Sequence, residues 1–224
     1  MRVRIKMCGV TRLQDALAAV AAGVDALGFI FYEKSPRCID PEEARLICEQ
    51  LPPFVDSVGV FVDKKRNEVE EIISYCRLSY AQLHGDESPK YCERLARFAA
   101  PCHVLKALRI SADSTADTAR EYNRVVDGFL LDTLHGERKG GTGEVFDWSV
   151  IDRLGLERSF ILAGGLDCTN IGDALQRVRP FGVDVNSGVE KAPGVKDAEL
   201  IRAFVRLVRQ GEIELQRAMT KASR

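Results

Sequence analysis

The chain has 224 residues, 46% hydrophobic content and a formal net charge of −1, which suits one large domain and gives no strong basic field to draw in nucleic acid. No apolar stretch approaches the roughly 20 residues of a membrane-spanning helix. Seven cysteines without CxxC spacing and three histidines at no ligand spacing argue against a disulfide framework or a metal, so we expect reduced thiols, no metal and no cofactor.

The first residues pass straight into a strand pattern, with no signal-peptide blocks, and a cytoplasmic location is expected. Short β-branched or aromatic runs then recur at 3–8, 26–31, 57–62, 80–84, 103–108, 128–132, 160–163 and 183–186. Few alternate cleanly between apolar and polar, as expected of parallel strands covered on their outer face. Helical periodicity fills the gaps, for example at Leu13, Leu17 and Val20, and later at Ile201, Phe204 and Leu207. Thr11 is placed to cap the first helix, with Asp15 in its first turn, while Pro41, Pro89 and Asn170 fit the starts of later helices. A strand and helix every ~25 residues predicts a single (β/α)8 barrel over residues 1–210 rather than an open doubly wound sheet. Residues 211–224 read as a charged helical extension that frays.

In a barrel the chemistry belongs at the C-terminal ends of the strands. Cys8 ends the first predicted strand, His84 the fourth, Asp132 the sixth and Asn186 the eighth. Cys8 stands beside helix N-termini and is a candidate reactive thiol, although free cysteine is more often a small buried hydrophobe. Alternation puts Lys6 one layer below Cys8, where a buried ammonium needs a partner, and Asp184 of the closing strand is the expected one. Gly164 and Gly165 after the seventh strand, with Ser187 and Gly188 after the eighth, offer bare amides for a phosphate. The glycine-rich segment 134–143 reads as a lid. Excluding water above Asp132 would favour its protonated form and suit a general acid, the alternative being a simple helix cap. Arg37, held by Ser35-Pro36, can clamp a carboxylate at the site mouth.

These segments, taken in order, resemble the phosphoribosylanthranilate isomerase family of tryptophan biosynthesis. The resemblance covers nearly the whole chain and rests on Lys6-Met7-Cys8-Gly9-Val10-Thr11, Gly28-Phe29-Ile30-Phe31-Tyr32 with Ser35-Pro36-Arg37, Val58-Gly59-Val60-Phe61-Val62, and Gln82-Leu83-His84-Gly85. It continues through Leu131-Asp132-Thr133, Gly140-Gly141-Thr142-Gly143, Gly164-Gly165-Leu166 and Val183-Asp184-Val185-Asn186-Ser187-Gly188-Val189-Glu190. It implies an aldose-ketose isomerase that performs an Amadori rearrangement of N-(5-phosphoribosyl)anthranilate to 1-(2-carboxyphenylamino)-1-deoxyribulose 5-phosphate. By the same resemblance Asp132 is the general acid, Cys8 the general base and Arg37 the anchor of the anthranilate carboxylate. Gly164, Gly165, Ser187 and Gly188 then hold the phosphate, and His84, Asp184 and Asn186 line the substrate. The chain departs from the family's strand-eight motif, where serine or alanine stands in place of Asn186.

A free thiol is only about 3% ionised at pH 7, so positive potential from Lys6 and helix N-termini would have to work against the cost of burying a charge. The histidine-pathway isomerase of related chemistry uses aspartate where Cys8 stands, which argues against it. A non-catalytic phospholigand-binding barrel would be expected to lose the acid or the base. The expected partner is a small phosphorylated substrate, with the chain acting as a monomer or homodimer and no nucleic acid or membrane engaged.

Overall fold

The computed structural model describes residues 2–133 and 150–222. Eight parallel strands close into a barrel: β1 (Arg4–Met7), β2 (Ala26–Ile30), β3 (Asp56–Phe61), β4 (Tyr80–Leu83), β5 (His103–Ile110), β6 (Gly128–Thr133), β7 (Phe160–Ala163) and β8 (Gly182–Val185). Each pairs with its neighbours in sequence, and β1 closes on β8 with Lys6 opposite Asp184. The expected barrel is therefore the observed fold, with strand limits within two residues of the pattern. The predicted lid at 134–143 lies outside the described residues.

The connecting helices are α1 (Leu13–Ala22), α2 (Pro41–Cys48), α3 (Arg66–Cys76), α4 (Pro89–Phe98), α5 (Asp117–Arg120), α6 (Val150–Arg153) and α7 (Ile171–Val178). Pro41 and Pro89 occupy first turns, behind Asp40 and Ser88, whose side chains accept hydrogen bonds from the amides of Glu42 and Tyr91. Phe29, Phe61 and Phe129 are fully buried in the main apolar core. Each contributes about 1.5–3 kcal/mol of burial. A smaller apolar cluster of Ala107, Leu130 and Ala163, backed by Ile161, comes from adjacent strands β5 to β7.

The expected cap on α1 is not made. Arg12 holds the N-cap position without a capping bond to a helix amide, and the Thr11 hydroxyl donates instead to the Gly194 carbonyl at 2.7 Å. Thr11 stands one residue too early to cap, and it ties down a hairpin absent from the sequence pattern, β9 (Glu190–Ala192) with β10 (Val195–Lys196). The last helix, α8 (Ala198–Ala222), runs without a break across residue 211. Gly211 is buried against Leu175 of α7, and Glu212 accepts a hydrogen bond from the amide of Val3.

Candidate active site

A cavity of about 250 Å3 opens at the C-terminal ends of the strands. Cys8, His84 and Asp132 line it with Gly164, Gly165 and Ser187, and Asp184 and Asn186 are also in its wall. Sequence reasoning assigned every one of these to one site, and the barrel brings them together. A larger cavity of about 580 Å3 opens at the opposite ends, beside Tyr80, His103 and Phe181. It holds none of the grouped candidates, so the smaller cavity is the candidate active site.

Cys8 follows β1 and is 5% exposed, its amide donating to the Val185 carbonyl at 2.9 Å. Below it Lys6 turns inward and binds Asp184 Oδ2 at 2.7 Å, as alternation along β1 and β8 requires. Burial opposes the Lys6 charge, but Asp184 and Cys8 outweigh it and raise its pKa. For Cys8 the balance is reversed. Burial pushes the thiol up, and the opposing pull of Lys6 is not enough to bring it back. The expected activation by local positive potential is thus outweighed by desolvation.

His84, just past β4, places Nε2 3.1 Å from Asp132 Oδ2, while its Nδ1 lies 2.9 Å from Gln82 Nε2. Both ring nitrogens are engaged within the protein. Asp132 is partly open to the cavity, whereas Gln82 is buried. Two buried acceptors here, Gln82 Oε1 and Asp184 Oδ1, lack a partner among the described residues.

The two glycine loops meet. Gly164 and Gly165 adopt φ of +95° and +62°, values that favour residues without a Cβ. Asn170, rather than capping α7 with its side chain, accepts from the Asp167 amide and donates to the Gly165 carbonyl, both at 2.9 Å, which fixes this loop. Gly188 forms an isolated bridge with Asp167, and a Cβ on it would sit 2.1 Å from the Leu166 carbonyl oxygen. Gly188 therefore joins the loops by close backbone approach and does not itself line the cavity.

Arg37 is not among the lining residues. Its Nε and Nη2 grip the Glu190 carboxylate at 2.7–3.1 Å, and Nη1 has no partner among the described residues. A Cβ on Gly9, beside Cys8, would lie 2.7 Å from both Arg37 Cδ and Asn186 Oδ1, so the guanidinium stem borders the site. Lys196 of β10 went unread in the sequence. Its fully buried ammonium donates to Asn186 Oδ1 and Glu190 Oε1, both at 2.9 Å. Burial pushes Glu190 up, but the hydrogen bonds from Arg37 and Lys196 outweigh it and leave the carboxyl below its ordinary range. The larger amide of Asn186 is held by Lys196.

A family model for N-(5'-phosphoribosyl)anthranilate isomerase matches residues 5–207, almost the whole barrel. The chain belongs to the N-(5'-phosphoribosyl)anthranilate isomerase family. A relative of that name from Pseudomonas putida is 49% identical over 93% of this chain and 98% of its own length. One from Pelobacter propionicus is 43% identical over 96% of this chain and 100% of its own. Among solved structures, phosphoribosyl anthranilate isomerase from Thermotoga maritima superposes with a TM-score of 0.80 at 42% identity, covering 93% of this chain and 99% of that one. A phosphoribosyl anthranilate isomerase in complex with reduced 1-(o-carboxyphenylamino)-1-deoxyribulose 5-phosphate matches with a TM-score of 0.78 at 40% identity, over 93% of this chain and 99% of that one. Among the described residues of this isomerase-family chain, no helix is long and apolar enough to cross a membrane, and no metal-ligating cluster occurs.

Proposed function

We propose that the chain catalyses the aldose-ketose isomerisation of N-(5-phosphoribosyl)anthranilate to 1-(2-carboxyphenylamino)-1-deoxyribulose 5-phosphate. The observation that carries this reading is one cavity shared by Cys8, Asp132 and the paired glycine loops. Acid and base reach it from β1 and β6, on opposite sides of the barrel. A substrate lying across the mouth therefore meets both.

In this reading Asp132 protonates the furanose ring oxygen as the bond from that oxygen to C1 breaks, and the anilino nitrogen supplies electrons for the Schiff base. Cys8, as thiolate, then removes the proton from C2, and the electrons left behind form an enolamine that tautomerises to the ketone. The amides around Gly164, Gly165 and Ser187 receive the phosphate, and Gly188 keeps their two loops together. Arg37 offers Nη1 to the anthranilate carboxylate while Glu190 holds its other edge. Asp184 Oδ1, buried and without a donor among the described residues, accepts from a sugar hydroxyl. His84 acts through Asp132, and Asn186 borders the substrate from its Lys196 contact.

The enzyme works in the cytoplasm, without metal or cofactor, as a monomer or homodimer. A related T. maritima structure is described as monomers generated from a dimeric enzyme. The deciding experiment follows the fluorescence decay of phosphoribosylanthranilate with wild type, Cys8→Ser and Asp132→Asn. Each variant should lose about 10²–10⁴-fold in kcat. Unchanged turnover in either removes that residue from its role.

A further inference from the structure

Gln82 and His84 stand two residues apart along the β4 direction, so both side chains face the same interior surface. Gln82 Nε2 lies 2.9 Å from His84 Nδ1, and on the far side of the ring His84 Nε2 lies 3.1 Å from Asp132 Oδ2. An amide nitrogen only donates. His84 Nδ1 must then be the bare, accepting nitrogen, which leaves the ring proton on Nε2, aimed at the carboxylate.

Two arguments favour this amide orientation over its flip. With Nε2 on the imidazole, the atom without a partner is Oε1, a buried carbonyl oxygen. Flipped, the unpartnered group would be an amide NH2, and orphaned buried N–H groups are the rarer of the two. The flip would also require Nδ1–H on His84, turning a bare Nε2 lone pair toward Asp132 Oδ2, which could meet it only by holding the acid's proton there instead of on Oδ1.

We propose that Gln82 is a positioning residue that fixes His84 as the Nε2–H tautomer, so that Oδ2 of Asp132 always accepts and Oδ1 is the oxygen that gives its proton to the substrate. The proposal rests on the reading of Asp132 as the general acid. During ring opening the O–H bond on Oδ1 breaks, its proton goes to the furanose oxygen, and that oxygen keeps the electron pair of the broken bond to C1. The charge left on Asp132 appears next to an N–H already aimed at it, and no group has to reorient at that moment. A ring with its proton on Nδ1 would present a lone pair instead. Among the described residues, Asp184 of β8 is a further carboxylate coupled electrostatically to the ring.

The test is a long-range 1H–15N correlation spectrum of the ligand-free protein labelled with 15N-histidine, near neutral pH. With three histidines in the chain, His84 is assigned by its loss in His84→Asn. Wild type should show a protonated Nε2 and a bare Nδ1. Gln82→Met, which keeps the length but removes the donor, should mix the tautomers and lower kcat about tenfold, with KM changed less than about twofold. Gln82→Glu, an acceptor only, should draw the proton to Nδ1. A wild-type ring protonated on Nδ1, or on both nitrogens, overturns the proposal, and so does a Gln82→Met enzyme with an unchanged tautomer or unchanged kcat. Should Gln82→Met not fold, the wild-type spectrum still decides the tautomer. Full turnover in Asp132→Asn would instead refute the acid, while the wild-type ring assignment would stand.

Discussion

Lys6 and Asp184 sit opposite each other in the β1–β8 register and close a 2.7 Å ion pair, both side chains almost wholly buried beneath Cys8. Removing one charge strands the other. Lys6→Met is expected to cost about 3–5 kcal/mol in urea unfolding, and adding Asp184→Asn should return a good part of that. A double-variant loss equal to the sum of the losses in Lys6→Met and Asp184→Asn alone would show that the pair is not coupled.

The Cys8 thiol is raised above its ordinary value by burial, so its ionised fraction at pH 7 lies below the free-thiol figure of about 3%. With Cys8 as base, kcat/KM should keep climbing past about pH 8.5, since each pH unit below the pKa means roughly tenfold less thiolate. The sign for stability is the opposite. The folded state holds this proton more tightly than the unfolded chain does, so the associated stability is present below the free-thiol pKa and fades as pH rises through the folded value. A rate flat across this range would remove Cys8 as the titrating base.

Gly188 permits the contact between the two glycine loops, with the Leu166 carbonyl oxygen 2.1 Å from where its Cβ would be. Gly188→Ala must push the loops apart. The expected result is about a tenfold rise in KM with kcat nearly preserved, and a loss of about 1–3 kcal/mol in stability. Steady-state kinetics with unchanged KM would separate Gly188 from phosphate binding.

Phe54 is 100% exposed at a φ of +71°, a conformation that side chains with a Cβ rarely adopt. Asparagine tolerates it better, so Phe54→Asn should stabilise a monomer by about 1 kcal/mol. Thermal unfolding at several protein concentrations is the check. A lower, concentration-dependent midpoint in the variant would mean that the ring is covered between copies of the chain.

The barrel was legible because its strands are short apolar runs at regular spacing, and alternation along them was enough to pair Lys6 with Asp184. The Glu190–Lys196 hairpin was not, since its charged residues around Pro193 and Gly194 have the composition of a loop. Lys196 reaches Asn186 and Glu190 only once that hairpin folds back. The direction of the Cys8 shift was hidden for another reason: a sequence shows nearby charges but not how much water the closed barrel removes. Thr11 misled because its polar oxygen suits a cap as well as it suits the Gly194 carbonyl, and only the tertiary fold chooses.

Because β1 closes on β8, the thiol that follows the first strand shares its cavity with Asp184 and Asn186 at the end of the eighth. A chain of which only the first seven strands have emerged has Cys8 but lacks the wall that β8 supplies. Until the final strand docks, Lys6 has no Asp184 and stays hydrated, which disfavours compact half-barrels that would bury it alone. The buried ion pair and the last part of the cavity wall thereby form in one event, the closing of the seam between β1 and β8.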